Sequence, residues 1–553
     1  MINEKFVKLF EKSFKENWEL PAYDDYGTKV KYTYGEVAQE VEKRHILFNE
    51  LGVKKGDKVA LLGTNSSEWA ITYVATVTYG AVIVPILPDF NPNDVHQILN
   101  HSDSKILFVM PRLWDQLDED KIPAVQVAYS LADRRTLLQR EDAPAMKFDD
   151  IERIFAEKYP QGFSADNVSY PEIENSELAS INYTSGTTGF SKGVMMSGNN
   201  LAGNVVFGLQ TQLLKRKDEV VSFLPLSHAY GCAFEFLTAT CAGAHVHFLG
   251  RVPAPKVLIK AFQEVRPNVI FSVPLIFEKI YKNVILPQLE TYAMKLAMNI
   301  PFLDTLIYKN ICTKLKETLG GNFYEVIIGG AALNKEVEDF FKKINFPFTV
   351  GYGMTECAPL ITYADYQVHR QSSVGKALPI MEVKILSNDP YNEVGEIVTR
   401  GENVMLGYYK SEDKTSEVLD EDGWLHTGDL GLLDEEGNLY IKGRNKSMIL
   451  GSNGQNIYPE EIESKLNNMP YVAESLVVES NGKLYALVYP DNDALSADMT
   501  QEHLQQIMDS NLKELNTKVA PYEKIAQIKI YPSEFEKTPK KSIKRYLYNK
   551  IID

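Results

Sequence analysis

The stretch Tyr183-Thr184-Ser185-Gly186-Thr187-Thr188-Gly189-Phe190-Ser191-Lys192-Gly193-Val194 packs hydroxyl side chains, three glycines and one lysine into twelve positions. A β-prone apolar run precedes it (Leu178, Ala179, Ile181, Tyr183) and a second follows (Val194, Met195, Met196), so it reads as a loop between two strands. Glycines let a backbone approach an anion closely and turn its N–H groups toward it. Hydroxyls donate at short range, and Lys192 brings a mobile positive charge. The composition fits a phosphate cradle; it also fits a flexible Gly/Ser/Thr hairpin. It is not a Walker A loop, which needs Gly-Lys-Ser/Thr ahead of a helix. Here Lys192 follows Ser191 and the chain enters a strand.

Upstream of this loop the pattern alternates. Val30 to Tyr34 reads as a strand, and Thr33-Tyr34-Gly35-Glu36 opens a helix that runs to about Leu51 and stops at Gly52. Lys58 to Leu62, Ala81 to Pro85 and Lys105 to Val109 read as strands, with helices over Ser66 to Tyr79 and Asn93 to Asn100 between them. Such alternation predicts a mainly parallel, helix-covered sheet whose ligands sit outside the carboxyl ends of the strands. Residues 112–176 are charged and weakly periodic and offer no assignment.

Downstream, four strands end in chemistry-bearing residues: Val220 to Leu224 before Pro225-Leu226-Ser227-His228, Val269 to Val273 before Pro274, Tyr324 to Ile328 before Gly329-Gly330-Ala331-Ala332, and Phe348 to Val350 before Gly351-Tyr352-Gly353-Met354-Thr355-Glu356. Their convergence on one site is the expectation. After Val374, short strands (Glu382 to Leu386, Gly395 to Thr399, Leu439 to Ile441) suggest a β-rich subdomain. The expected fold class is α/β. A large N-terminal domain (1–445) combines helix-covered, mainly parallel sheets with the β-rich part, and a small mobile α+β domain (446–553) begins at Lys446.

The totals narrow the function. A chain of 553 residues exceeds one ordinary core, and its net charge of -16 argues against nucleic acid as a main partner. The four cysteines (Cys232, Cys241, Cys312, Cys357) show no zinc-ligand spacing and read as reduced, mostly buried thiols of a cytoplasmic protein. Residues 1–20 lack a signal-type apolar core. Phe6, Leu9, Phe10 and Phe14 suit an amphipathic surface helix, with peripheral membrane contact as the second reading. Ile71 to Leu87 is apolar but broken by threonines, Gly80 and Pro85, and reads as a buried helix leading into a strand.

The order of residues in the opening stretch resembles the phosphate-binding loop of adenylate-forming enzymes, the superfamily of acyl-CoA synthetases, luciferases and peptide-synthetase adenylation domains. The resemblance extends from about Tyr32 to Arg545. It implies that Ser185, Gly186, Thr187, Thr188 and Gly189 cradle ATP phosphates and that Lys192 acts on the departing β- and γ-phosphates. Gly351-Tyr352-Gly353-Met354-Thr355-Glu356 matches a family element in which Tyr352 stacks on adenine, Thr355 meets the α-phosphate, and Glu356 with Thr184 holds Mg²⁺. Gly330-Ala331-Ala332 resembles the lining of the adenine and acyl-phosphate pocket. In Gly423-Trp424-Leu425-His426-Thr427-Gly428-Asp429, Asp429 would accept both ribose hydroxyls, and His426 is expected to be structural. Arg444 would contact ribose or phosphate. His228 matches an aromatic position beside the substrate carboxylate. Lys446 is the family's hinge, and Gly454, in Gly451 to Pro459, would let the pantetheine of coenzyme A pass the backbone. The substrate carboxylate itself attacks the α-phosphate, so catalysis reduces to positioning and charge stabilisation.

One departure stands out. The family ends in Lys-Thr-X-X-Gly-Lys-X-X-Arg, and its second lysine bridges carboxylate and α-phosphate. Here the segment is Lys537-Thr538-Pro539-Lys540-Lys541-Ser542-Ile543-Lys544-Arg545, which puts Ser542 at the lysine position. Lys541 is the candidate replacement, and slower adenylation is the alternative. The run Gly351 to Pro359 most resembles long-chain fatty acid–CoA ligases. The expected substrates are a fatty acid, ATP and CoA, with medium-chain or aryl acids, a carrier-protein acceptor, and a non-catalytic adenylate-binding protein as alternatives.

Overall fold

A computed structural model describes residues 2–144, 146–184, 191–250, 254–289, 291–298, 300, 303–450, 455–492, 494–495, 499–538 and 542–548. Its largest sheet has eight strands, in the order Gly407–Tyr408, Lys192–Ser197, Leu178–Thr184, Val82–Ile86, Lys58–Leu62, Ser104–Val109, Val127–Ser130, Thr136–Gln139. The central strands run parallel, and antiparallel pairs close both ends.

Period-two side-chain alternation gives this sheet two buried faces. Val59, Leu61, Ile83, Ile106 and Phe108 enter the main core, whereas Ala60, Leu62, Val82, Val84, Leu107 and Val109 enter a second one. Local signals start the helices where the sequence places them. Thr33 and Glu36 form a reciprocal capping box ahead of Tyr34–Glu50, and Ser66 caps Ser67–Tyr79, which ends on Gly80 at φ 91°. The strand expected over Val30 to Tyr34 is confined to Lys31–Thr33, because Tyr34 already belongs to the helix.

The segment 112–176 holds strands Val127–Ser130 and Thr136–Gln139 and helix Phe148–Lys158. That helix is amphipathic: Ile151 is buried, and Phe148, Ile154 and Phe155 pack against the main core beside it, a pattern the sequence reading passed over. The N-terminal helix Phe6–Glu16 is amphipathic as expected, and it buries Phe6, Val7, Phe10 and Phe14 in the core. Its apolar face is therefore spent on packing. No helix among the described residues is long and apolar enough to cross a membrane.

Strands Val269–Ser272, Glu325–Ile328 and Phe348–Val350 form a parallel sheet. Glu219–Ser222, His245–Phe248 and Pro21–Asp25 run parallel in another sheet, to which Lys31–Thr33 adds an antiparallel edge. Four antiparallel strands (Met381–Leu386, Gly395–Gly401, Leu425–Leu433, Leu439–Arg444) make the β-rich part. Near the C-terminus, Val472–Ser480, Lys483–Pro490 and Ile525–Ile530 carry cores on both faces, one shared with helices Pro459–Leu466 and Gln501–Lys518.

Candidate active site

Strands Leu178–Thr184 and Lys192–Ser197 pair antiparallel with Thr184 opposite Lys192, so the opening stretch does connect two strands. Ser185, Gly186, Thr187, Thr188 and Gly189 lie outside the described residues. At the hairpin mouth, Thr184 is buried and Lys192 is half-buried. The Lys192 Nζ stands 4.4 Å from the centre of the Tyr408 ring, a cation–π distance. Tyr408 arrives on the edge strand Gly407–Tyr408, paired to Val194. Its hydroxyl donates to Glu356 Oε1 over 3.0 Å. Burial, then the Glu356 charge, pushes the Tyr408 phenol well above its ordinary pKa, so it remains a donor. Lys192 and the first acidic candidate are thus joined through one tyrosine ring.

Glu356 lies in the 3₁₀ turn Thr355–Cys357, and its carbonyl accepts from Met405 N at 2.9 Å. Thr355 is half-buried in the same turn. The approach to this turn is tight: a Cβ at Gly353 would sit 2.1 Å from the Pro359 carbonyl oxygen. The Tyr352 hydroxyl donates to Asp429 Oδ2 at 2.7 Å. Arg444 Nε approaches Asp429 Oδ1 at 3.2 Å from the facing strand, where Asp429 and Arg444 are register partners. Burial raises the Asp429 pKa, and the Arg444 charge opposes that rise. Asp429 is therefore a buried acceptor held between a phenol and an exposed guanidinium. His426 Nδ1 faces Glu396 at 3.0 Å within the antiparallel sheet, which suits its expected structural role.

The remaining candidates sit at neighbouring strand ends. Gly351 N donates to Ile328 O, and Gly329 N donates to Ser272 O, which aligns the carboxyl ends of the parallel strands. Gly330 adopts φ 87°, a left-handed turn glycine enters without strain, and Ala331 and Ala332 follow it exposed. His228 lies half-buried after the turn at Pro225, to whose carbonyl its N–H donates. Two residues on, the Tyr230 hydroxyl donates to Ile327 O at 2.9 Å and ties the His228 segment to the Gly330 strand end. Lys446 stands exposed in the turn Asn445–Ser447, directly after Arg444. Gly454 and Lys541 lie outside the described residues. Ser542 is exposed; Thr538 N donates to Ser542 O at 2.8 Å, and Lys537 and Ile543 form an antiparallel bridge.

Sequence reasoning missed three supporting residues. Tyr408 lies in a two-residue strand, too short to show periodicity. Asn65 donates to Leu224 O at 2.7 Å and to Ser222 Oγ at 3.0 Å, and accepts from Leu226 N, clamping the turn that leads to His228. Glu235 is fully buried in the π-helical segment Gly231–Thr238 and accepts from Leu224 N at 3.1 Å; burial pushes its carboxyl well above the usual range. A charged residue type in an apolar run was the available signal.

Comparison with known proteins identifies the family. The AMP-binding enzyme family matches residues 10–409, and the AMP-binding enzyme C-terminal domain matches residues 446–551. A long-chain-fatty-acid–CoA ligase of Rattus norvegicus is 28% identical over 522 residues, spanning 88% of this chain and 69% of its own. One from Mycobacterium bovis is 27% identical, spanning 94% and 90%. A peroxisomal long chain acyl-CoA synthetase of Arabidopsis thaliana is 30% identical, spanning 92% and 76%. Among solved structures, ATP-bound MatB from Rhodopseudomonas palustris superposes with a TM-score of 0.75 at 24% identity, covering 99% of this chain and all of the other. An anthranilate CoA ligase bound to anthranoyl-AMP gives 0.78 at 19% identity, covering 98% and 96%. With a family match over most of its length, the chain belongs to the AMP-binding enzymes and is an acid–thiol ligase.

Proposed function

We propose that this enzyme activates a long-chain fatty acid with ATP to an acyl-adenylate and then transfers the acyl group to coenzyme A. The observation that carries the reading is the linked set Lys192–Tyr408–Glu356 beside Tyr352–Asp429–Arg444, where the turn after the parallel strand Phe348–Val350 meets antiparallel strands. Asp429 accepts the ribose hydroxyls, with Arg444 balancing its charge. Lys192 neutralises the departing phosphates, and Ser185 to Gly189 complete the cradle. The set fits Mg²⁺: Glu356 offers a carboxylate oriented by Tyr408, and Thr184 a hydroxyl oxygen, both suited to a hard cation. When bound, the ion neutralises charge on the phosphate oxygens.

The long-chain assignment rests on the names of the curated relatives and on the apolar segment behind His228, where Cys232, Ala233, Phe234, Phe236 and Leu237 are all buried. Residues 1–445 and 446–553 act as two domains about Lys446, one arrangement serving adenylation and the other thioester formation, with Gly454 entering for the second step. Polar contacts support relative motion: Asn334 donates to Ser464 O at 2.9 Å, and Lys518 approaches Glu336 at 3.9 Å. Free thiols at all four cysteines suit a cytoplasmic site. Peripheral membrane contact falls to residues 275–306, where Leu275, Val284, Tyr292, Leu296, Ile300 and Leu306 are each exposed.

The test measures acid-dependent pyrophosphate release and acyl-CoA formation across chain lengths in wild type, Lys541→Ala and Ser542→Lys. Release of pyrophosphate with fatty acids and thioester formation with free CoA are expected. Pyrophosphate release without acyl-CoA would favour a carrier-protein acceptor, and no turnover with any acid would remove the reading. Loss of adenylation in Lys541→Ala with gain in Ser542→Lys marks Lys541 as the stand-in for the family lysine.

A further inference from the structure

A second cluster of chemistry-bearing side chains lies on the sheet that contains the N-terminal strand. Pro21–Asp25 pairs in parallel with His245–Phe248, placing Asp24 opposite His247, and Glu219 on the next strand pairs with His245. Tyr23, Val220, Val246 and Phe248 point into the core, leaving Asp24, Glu219, His245 and His247 together on the other face. The face is nevertheless sheltered: the side chains of Asp24, His245 and His247 are only 10%, 14% and 12% exposed.

The hydrogen-bond geometry sorts the ring nitrogens. Glu219 Oε2 lies 3.0 Å from His245 Nδ1 and 2.7 Å from His247 Nε2. An ionised carboxylate only accepts, so both of those nitrogens carry hydrogen. The opposite nitrogens face Asp24: His245 Nε2 is 3.1 Å from Oδ1 and His247 Nδ1 is 3.7 Å from Oδ2. His245 Nε2 is buried and makes no hydrogen bond, although a carboxylate oxygen is so close. In the neutral rings both nitrogens present lone pairs to a carboxylate. A proton or a metal ion relieves such a convergence of acceptors.

We propose that Asp24, His245 and His247 bind a divalent transition-metal ion of the Zn²⁺ type, with Glu219 as the acceptor that orients both imidazoles. One donor atom from each of the three residues lies within 4.8 Å of the others. Zinc–nitrogen and zinc–oxygen bonds of about 2.1 Å place tetrahedral donors roughly 3.4 Å apart; the Asp24 carboxylate reaches the two imidazoles at similar distances, through Oδ1 at 3.1 Å and through Oδ2 at 3.7 Å. Two imidazoles and one carboxylate favour Zn²⁺, Co²⁺ or Ni²⁺ over Mg²⁺, which prefers an all-oxygen shell. A carboxylate behind a metal-binding histidine fixes ring orientation, the part Glu219 plays here. Lys31 Nζ, 2.7 Å from Asp24 Oδ2, is the competing cation; its side chain is 69% exposed and free to swing away. The site clips the N-terminal strand to strands more than 190 residues later in the chain, and it rests on no part of the ligase reading.

The experiment uses the untagged full-length protein, stripped with chelator and held without ATP. Co²⁺ is titrated by its visible d–d absorption, and Zn²⁺ by competition and thermal shift. One equivalent of tetrahedral Co²⁺, displaced by Zn²⁺, and a Zn²⁺-dependent rise in Tm are expected. His245→Asn and His247→Asn should each lose the spectrum, and Glu219→Gln should weaken Zn²⁺ binding by about tenfold. Lys31→Ala, at an exposed position, should bind Zn²⁺ more tightly. Absence of a Co²⁺ spectrum in wild type, or its retention in both histidine variants, overturns the proposal. So does a Tm that tracks pH through the histidine range identically with and without Zn²⁺, which would mark the cluster as protonated ion pairs.

Discussion

Tyr408→Phe isolates one atom of the candidate site. The phenylalanine ring keeps its place beneath Lys192 and preserves the 4.4 Å cation–π contact, while the 3.0 Å hydrogen bond to Glu356 disappears. Hydrogen bonds to a charged partner contribute about 1.5–3 kcal/mol. At about 1.4 kcal/mol per factor of ten, that energy corresponds to roughly a 10- to 100-fold fall in kcat/KM for adenylation. The loss should appear in the Mg²⁺ dependence, because Tyr408 orients the carboxylate proposed to hold the ion. The assay is acid-dependent pyrophosphate release over a Mg²⁺ titration, with Tm measured alongside. Tyr408→Leu removes the ring as well and should lose a further factor of a few, from a cation–π contact of about 0.5–1 kcal/mol. A lower Tm with unchanged kcat/KM and unchanged Mg²⁺ dependence in Tyr408→Phe would refute the argument, since the bond would then serve only folding.

Asp429→Asn should raise the Kd for ATP at least tenfold while leaving Tm unchanged or higher, because burial makes the Asp429 charge unfavourable to the fold; isothermal titration with ATP and a melting curve test both halves. Burial lifts the Glu325 pKa from 4.5 to about 7, against the opposing hydrogen bond from Tyr363. The folded state therefore binds a proton that the unfolded state releases, and stability present below pH 4.5 is lost as pH rises through 7. Glu325→Gln should remove this slope, on the order of 3 kcal/mol between those limits, as read by urea unfolding at several pH values. Gly353→Ala, whose Cβ would meet the Pro359 carbonyl at 2.1 Å, should lower Tm by several degrees and abolish adenylation, because two backbone segments must part.

Legibility in the sequence followed the strength of local signals. The strands around Lys58–Leu62 and the capped helices beside them were readable because both faces are apolar and the caps are local. Thr136–Gln139 was not, because it is a half-exposed edge strand, whereas the amphipathic spacing of Phe148, Ile151, Ile154 and Phe155 in Phe148–Lys158 was present and overlooked among its charges. The site divides the same way. Tyr352, Glu356, Asp429 and Arg444 sit in contiguous motifs, so their order alone pointed to them. Tyr408 and Asn65 act across separations of 52 and 159 residues, and no linear pattern encodes such partners. Glu235 follows a different rule, since only the three-dimensional core explains an acid among buried apolar residues.

The edge strand Gly407–Tyr408 also bears on how the chain is made. It covers the outer side of Lys192–Ser197, and it is paired there from about 200 residues further along the sequence. During synthesis at about 5–20 residues per second, that hairpin edge stands uncovered for roughly 10–40 seconds. An uncovered strand edge invites pairing with another chain. The residue that steadies Glu356 in the finished enzyme thus also covers the flank of Lys192–Ser197, and ribosome stalling before Tyr408 should leave a species that depends on chaperones.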